Sequence, residues 1–232
     1  MSWTALLHEL GCRVSELRTI AGRVVCETEV KRSRFVTVVD RASTEADARA
    51  VIAAARKADP TAGHHCSAFI VESSAAGIVV VDEDRTHRIE RSNDDGEPSG
   101  TAGTPMLEVL RGHGLTNVVA VVGRYFGGTK LGTGGLARAY GGAVTEALAQ
   151  ARFLTRERRD VLTLELDHAE VGRVESELRG HGASVLDSAY DTRAVLTVAV
   201  ADADSTAALV ASLTAGRVVP AIGGHVYVET AE

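Results

Sequence analysis

The hydrophobic pattern of the first two thirds of the chain predicts strands separated by helices. Residues 117–123 (NVVAVVG) are almost continuously apolar, which is typical of a central strand buried on both faces. A helix is predicted from Thr44, which can cap it together with Asp47, to Pro60, which ends it. The apolar residues of this helix have the spacing of one helical face: Val51, Ala54, Ala55 and Ala58.

Shorter apolar runs predict further strands on either side of this helix. Residues 19–30 and 35–39 are two β-rich runs, and Lys31 to Arg34 between them suits a hairpin or a bulge. Residues 67–72 predict a strand, and residues 78–81 suggest another.

Residues 82–103 are predicted as a polar loop. Thr104 and Pro105 then have the residue types of a helix N-cap and first helical position. A long helix is predicted over residues 133–152 and contains Gly141 and Gly142. Because an interior glycine costs about 1 kcal/mol relative to alanine, we expect these two to allow close packing of the helix on the sheet.

A charged junction at residues 155–160 (TRERRD) predicts two domains, 1–155 and 156–232. The second has the βαββαβ order of a ferredoxin-like unit. Its predicted elements are strand 161–166, helix 169–180, strands 184–190 and 193–200, helix 204–215 and strand 217–228.

Composition and charge narrow the class of protein. Of the 232 residues, 45% are hydrophobic and 24% charged, which excludes a disordered chain. The net charge of −6 lies in residues 156–232, since residues 1–155 hold 18 basic and 18 acidic residues. The second domain is therefore a poor general polyanion binder, whereas the first can bind anions locally if its charges segregate. With no signal peptide or membrane span in the sequence, and with Cys12, Cys26 and Cys66 irregularly spaced, we expect a reduced cytoplasmic protein.

A glycine-rich segment between the buried strand and the long helix is the first candidate site. Glycines permit close backbone approach, and free amides at a helix N-terminus attract anions. The segment and the cations around it suit a phosphate, an RNA or a protein partner, although a tight strand–helix connection also explains the glycines. The aromatic residues Tyr125, Phe126 and Tyr140 fit either such a partner or the core. The candidate residues are Arg124, Gly127, Gly128, Lys130, Gly132, Gly134, Gly135 and Arg138.

An acidic loop supplies the second candidate site, formed by Asp94, Asp95, Glu97 and Ser99. Three carboxylates within four residues can bind Mg²⁺ or Ca²⁺. Alternatively, they can accept hydrogen bonds from amides at the start of the next helix, or remain solvated.

His64, His65 and Cys66 form a minor third candidate. On a strand, His64 and Cys66 share a face while His65 points away, so the three cannot ligate one metal. We therefore expect no metal site here, and a strand entry with a buried cysteine competes with a Cys–His catalytic pair.

The sequence resembles the YigZ/IMPACT family in four segments. These segments are KRSRF at residues 31–35, HHC at 64–66, NDDGEPSGTAGTP at 93–105 and VVGRYFGGTKLGTGGLARAYGG at 121–142. The last two are long and specific. The resemblance implies a first domain with the fold of the second domain of a small-subunit ribosomal protein, and a second like the ferredoxin-like fifth domain of elongation factor G.

The resemblance also implies a role in translation, because eukaryotic IMPACT proteins are translational regulators that act through an additional N-terminal RWD domain. The thirty residues before KRSRF leave no room for that domain, so we expect a bacterial-type member without it. We expect a non-enzymatic, cofactor-free regulator that binds RNA, the ribosome or a translation protein. The alternative is a Mg²⁺-dependent enzyme acting on a phosphorylated or nucleotide-like substrate.

Overall fold

The computed structural model describes residues 17–73 and 87–231, in two compact units. The predicted strand at residues 78–81 lies outside the described residues. The first unit comprises residues 17–73, 87–156 and 229–231, and the second comprises residues 157–228. A mixed α/β protein with two domains, as predicted, is confirmed.

A five-stranded antiparallel sheet forms the centre of the first unit, in the order β2-β3-β6-β4-β5. The strands are β2 (Val24–Val30), β3 (Ser33–Arg41), β4 (His64–Ser73), β5 (His87–Asn93) and β6 (Val118–Tyr125). The central strand β6 is buried from Val118 to Arg124, which confirms the predicted central strand. A short strand β1 (Leu17–Ile20) pairs with the first residues of β7 (Phe153–Leu166).

Helices cover both faces of this sheet. Helix α1 (Glu45–Ala58) packs on one face, against Phe69, Val71, Val119 and Val121. Helices α2 (Gly103–Gly112) and α3 (Thr133–Leu148) pack on the other, around a larger core. Because neighbouring side chains of a strand point to opposite faces, the sheet presents a different set of side chains on each of its two surfaces.

Helix α1 begins as predicted, but its buried face is displaced. The Thr44 hydroxyl accepts a hydrogen bond from the Asp47 N–H, and the Asp47 carboxylate accepts one from the Thr44 N–H, so the capping box is confirmed. Ala48 and Ala55 are buried, whereas Ala54 and Ala58 of the predicted stripe are exposed. The helix lies rotated from the predicted orientation because Ala48, Val51, Ile52 and Ala55 also have the spacing of one face.

The KRSRF segment forms the turn of a hairpin between β2 and β3, as expected. Lys31 and Arg32 are its two central residues, with φ of 48° and 69°, and Val30 pairs with Ser33. Positive φ at both positions is the geometry of a type I′ turn, which normally uses Asn or Gly. Lys31 and Arg32 therefore adopt a left-handed backbone conformation that is unfavourable for residues other than glycine and asparagine.

Strand β5 corrects the prediction of a polar loop over residues 82–103. Its sequence, HRIERSN, contains one apolar residue, Ile89, and therefore has no hydrophobic alternation. Among the strands that the structure describes, β5 pairs only with β4, at the edge of the sheet. An edge strand with charged side chains is stabilised by its ladder of hydrogen bonds and not by burial, so the apolar pattern does not reveal it.

The helix boundaries around the candidate loops also differ from the predictions. Helix α2 begins at Gly103 with Ala102 as N-cap, and not with Thr104 as N-cap. Helix α3 ends at Leu148, before Arg152. A Cβ on Gly141 would lie 3.6 Å from Val109 Cγ2, so this glycine packs against α2 and not against the sheet.

The second unit has the predicted βαββαβ order. Its sheet order β10-β7-β9-β8 is that of a ferredoxin-like fold. Its elements after β7 are α4 (His168–Gly180), β8 (Ser184–Tyr190), β9 (Ala194–Val200), α5 (Ala203–Thr214) and β10 (Ala221–Ala231). The charged junction TRERRD lies inside β7. Within the described ranges, no helix is long and apolar enough to cross a membrane.

Candidate functional site

A largely buried polar cluster lies between the sheet and helix α3, and we call it the Arg124 cluster: His64, which is half-buried, and the buried residues Cys66, Glu97, Arg124 and Tyr140. Arg124 stands near the end of β6, opposite His64 on β4 and Phe35 on β3. Tyr140 approaches from α3, and Glu97 approaches from the loop before α2. The sheet register therefore brings together three of the sequence segments that carry the family resemblance.

Glu97 neutralises Arg124 inside this cluster. The Arg124 Nη1 donates to Glu97 Oε1 at 2.6 Å, and the Tyr140 hydroxyl donates to the same oxygen at 2.8 Å. The side chains of Arg124 and Glu97 are only 8% and 4% exposed. Burying two charges is tolerated when they are paired and hydrogen-bonded, so this pair forms part of the folded core.

The predicted interaction surface that included Arg124 and Glu97 is corrected by this burial. Neither side chain is accessible to RNA or to a protein partner, since each is enclosed with the other. The Arg124 guanidinium also lies 5.8 Å from the ring centroids of Phe35 and Phe126, within the range of cation–π attraction.

Cys66 and the histidines have structural partners. The Cys66 thiol donates to the Asp94 carbonyl at 3.0 Å, and burial raises its pKa to about 12. At neutral pH it is a buried thiol and not the thiolate that nucleophilic attack requires. His64 contacts the Asp95 carbonyl through Nδ1, whereas His65 faces α1 and contacts the Asp59 carbonyl through Nε2, both at 2.8 Å.

The acidic loop uses its carboxylates within the protein. Asp94 accepts hydrogen bonds from the backbone N–H groups of Gly100, Ala102 and Gly103, and so caps helix α2 from a distance. Burial alone would raise the pKa of the Asp94 carboxyl, but these three N–H groups outweigh burial and hold its pKa below the usual value. Of the predicted alternatives, the helix-capping one describes Asp94.

Asp95 connects the acidic loop to the opposite face of the sheet. It accepts hydrogen bonds from Arg56 on α1 at 2.8 Å and from the His65 N–H at 2.6 Å. Burial raises the pKa of the Asp95 carboxyl. The hydrogen bonds from Arg56 and from the His65 N–H lower this pKa by more than burial raises it, so the net shift is downward.

The three carboxylates of the acidic loop, Asp94, Asp95 and Glu97, thus bind three different partners, and Ser99 is exposed. No three His, Cys, Asp or Glu side chains of residues 17–73 and 87–231 are grouped to hold a metal ion.

The glycine loop, residues 127–135, contacts the hairpin turn through its first residue, and most of its other glycines are exposed. The Gly127 N–H donates to the Ser33 Oγ at 3.2 Å, and a Cβ on Gly127 would lie 2.0 Å from the Arg32 carbonyl carbon. Only glycine permits this approach to the hairpin turn. Gly128, Gly132 and Gly134 are exposed, and Gly135 is half-buried. Gly132 is the N-cap of α3, and no side chain caps it.

Four exposed cations surround this loop, and together with residues 127–135 we call them the glycine-loop surface: Lys31, Arg32, Lys130 and Arg138. The Arg32 Nη2 donates to Thr129 Oγ1 at 3.2 Å, which joins the hairpin turn to the loop. A groove of about 200 Å³ lies between them and includes Lys31, Leu131 and Arg138 in its lining.

The structure adds Lys31 and Arg32 to the candidate residues and removes Arg124 and Glu97 from the exposed set. The sequence already contains the relevant indication, since KRSRF is one of the segments of the family resemblance, but its contact with a loop about 95 residues later is a tertiary feature. Tyr140 belongs to the core, whereas Phe126 is 61% exposed beside the loop.

The fold and these two neighbouring features define a two-domain α/β protein with an exposed cationic loop above an internally neutralised polar cluster. The Impact N-terminal domain family matches residues 31–148, and the family described as Domain of unknown function (DUF1949) matches residues 164–217. The chain belongs to the IMPACT family.

Relatives with curated names agree with this assignment. The IMPACT family member YigZ of Escherichia coli is 37% identical over 183 residues, which cover 78% of this chain and 83% of that protein. The IMPACT family member YvyE of Bacillus subtilis is 41% identical over 153 residues, 66% of this chain and 65% of that protein. The chain therefore matches just under two thirds of YvyE's length.

A solved structure supports the fold. The crystal structure of a protein described as hypothetical is 34% identical to this chain, with a TM-score of 0.59. The match covers 88% of this chain and 95% of that one, so it includes both domains.

Proposed function

We propose that this protein is a translation-associated regulator that binds RNA, in the context of the ribosome, through the glycine-loop surface. The observation that carries the proposal is the grouping of Lys31, Arg32, Lys130 and Arg138 around an exposed glycine backbone. Among the described residues, no carboxylate lies within ion-pair distance of these four cations. Their charge is therefore available to phosphates.

The backbone of the glycine-loop surface supports the same function. Helix α3 begins at Thr133 with no side-chain cap, and residues 132–134 are exposed, so a ligand can reach its first N–H groups and the positive end of its dipole. Phe126 lies exposed next to the loop, and an aromatic ring beside cations suits stacking with an unpaired base. The disfavoured backbone at Lys31 and Arg32 places two more cations here, and such strain is characteristic of functional sites.

The link to translation comes from the family. Its eukaryotic members are translational regulators, and the glycine loop and KRSRF belong to the segments that carry the resemblance. Binding is favoured over catalysis because the ionisable groups beside the surface are used internally: Glu97 by Arg124, Asp95 by Arg56, and the Cys66 thiol by the Asp94 carbonyl.

The proposal is tested by co-sedimentation with ribosomes and by titration of purified ribosomal RNA at several salt concentrations. In K130A/R138A we expect binding to weaken on the order of tenfold or more. The plot of log affinity against log salt concentration has a negative slope, and its steepness should decrease by roughly 1.4–1.8, because each of the two lost phosphate contacts contributes about 0.7–0.9.

The matched control is K57A/R152A, which removes the same charge from exposed positions outside the surface. It should bind RNA as the wild type does. The proposal fails if the wild-type protein binds neither ribosomes nor RNA at low salt, or if the control loses as much affinity as K130A/R138A. Binding to ribosomes without binding to ribosomal RNA would contradict RNA as the partner.

A further inference from the structure

A second cationic surface lies on the other face of the sheet from the Arg124 cluster. Here residues of helix α1 and of strands β4 and β5 line a groove of about 430 Å³. Arg49 and Arg56 line it from the helix, and Arg91 lines it from the edge strand. This volume lies within the roughly 300–1,000 Å³ of small-molecule sites.

The positions of the arginines follow from helix and strand geometry. Arg49 and Arg56 are seven residues apart, so they share one face of α1 and lie about 10 Å apart along it. Arg56 bonds to Asp95, which also bonds to the His65 N–H, and this places Arg56 at one end of the groove. Arg91 on β5 pairs with Phe69 on β4, and Phe69 lies four residues along β4 from His65. At about 3.3 Å per residue, the Arg91 position is therefore roughly 13 Å from the His65 end of the groove. Arg49 therefore lies toward the Arg91 end.

The charges of the groove are unbalanced at that end. Arg49 pairs with Glu45, but its side chain is 71% exposed and such an exposed pair is easily exchanged for another anion. Arg91 contacts the Glu90 carbonyl at 3.5 Å. In residues 17–73 and 87–231, no carboxylate lies within ion-pair distance of Arg91, and none lines the groove.

The rest of the lining is suited to an organic molecule. Ile52 and Phe69 provide an apolar wall and floor between the arginines. Ser67 and Asn93 are directly paired across β4 and β5 and line the same groove, where they can exchange hydrogen bonds with hydroxyl groups.

We infer that this groove binds a small phosphate ester, with its phosphate between Arg49 and Arg91 and its hydroxyl-bearing carbon skeleton against Phe69, Ser67 and Asn93. Guanidinium groups bind phosphate oxygens through paired, charge-assisted hydrogen bonds. The ligand is a small molecule and not a nucleic acid because this groove has the volume of a small-molecule site, about 430 Å³, whereas the groove of the glycine-loop surface is only about 200 Å³.

Isothermal titration calorimetry of the full chain at low ionic strength tests this inference. The probes are inorganic phosphate, glucose 6-phosphate and AMP, with glucose and adenosine as phosphate-free counterparts. We expect saturable binding of both phosphate esters, weaker binding of inorganic phosphate, and no binding of glucose or adenosine. R91A and R49A should each weaken ester binding on the order of tenfold.

K57A is the matched control, because it removes one cation from an exposed position of the same helix that does not line the groove. It should bind the esters as the wild type does, with equal thermal stability of all variants showing that they are folded. K130A/R138A should also retain ester binding, which separates this site from the RNA surface.

Three results would overturn the inference. The first is no saturable binding of any of the three phosphates up to millimolar concentration. The second is equal loss of affinity in K57A and R49A. The third is unchanged binding in R49A/R91A, which would indicate an adventitious anion only.

Discussion

Arg124 and Arg138 are fourteen residues apart in one glycine-rich segment, and the structure gives them opposite surroundings. Arg124 is 7% exposed and bonded to Glu97, whereas Arg138 is exposed beside a groove of the glycine-loop surface. The first arginine is part of the packing beneath the loop, and the second contributes charge above it. Motif membership alone therefore does not separate residues that maintain a fold from residues that contact a partner.

The direction of each side chain explains the difference. Arg124 lies on the central strand with Phe35 and His64 on either side, and its side chain extends beneath α3 to Tyr140 and Glu97. Arg138 lies about one turn into α3, on the side away from the core. Three substitutions test this contrast, and they follow from the largest expected effect to the smallest.

Glu97→Ala should strongly destabilise the first unit. Removing the carboxylate leaves the Arg124 guanidinium buried without its charge partner, and breaking a buried pair in this way costs about 3–5 kcal/mol. The measurement is the free energy of unfolding from urea denaturation followed by circular dichroism.

The double variant E97L/R124M is the control for that prediction. Replacing both charges by apolar side chains leaves no unpaired buried charge, so it should be more stable than Glu97→Ala. If Glu97→Ala lowers stability no more than an exposed substitution such as Ser99→Ala does, the pair is not part of the core and Arg124 returns to the set of candidate binding residues.

Gly127→Ala should separate the hairpin turn from the glycine loop. The new Cβ would lie 2.0 Å from the carbonyl carbon of Arg32, so the turn must move, at a cost of roughly 2–3 kcal/mol. RNA binding should weaken together with stability, because Lys31 and Arg32 lose their position. Thermal unfolding and RNA titration measure the two effects.

Gly142→Ala is the matched control within the same segment. A Cβ on Gly142 would have nothing within 4 Å, and alanine is the better helix former, so stability should rise by up to about 1 kcal/mol with RNA binding unchanged. Equal behaviour of the two glycine variants would contradict the close contact at Gly127.

Asp94→Asn should produce a smaller effect that depends on pH. The Asp94 carboxylate caps α2, and weakening a cap costs about 1 kcal/mol. Its pKa in the folded protein lies below its ordinary value of 3.8, so the ionised form stabilises the fold. This contribution is present above about pH 4 and is lost as the pH falls through the folded pKa.

Urea denaturation at pH 7 and at pH 3 measures this dependence. The difference in stability between wild type and Asp94→Asn should be largest at pH 7 and should shrink at pH 3. A difference that stays constant, or that grows as the pH falls, is incompatible with an ionised cap.

Local patterns predicted those elements that carry their own signal in the sequence, either a cap a few residues away or a continuous apolar run. Thr44 and Asp47 complete a capping box within four residues, and the apolar run 117–123 becomes β6. Strand β5 escaped prediction because it is an edge strand stabilised by backbone pairing to β4, and HRIERSN has no apolar alternation. The capping of α2 by the acidic loop was one of several alternatives, and the sequence did not single out Asp94 because it reaches the helix from eight residues before Ala102.

By itself, the sequence determined the mixed α/β class, the βαββαβ order of the second domain, and the family, since these depend on periodicity and on long specific motifs. Only the tertiary structure decided which cations are available. Glu97 meets Arg124 across 27 residues, and Arg32 meets Thr129 across 97. A buried charge that is paired with an internal carboxylate, such as Arg124, is not available to a partner, and that pairing is set by which side chains the sheet brings together.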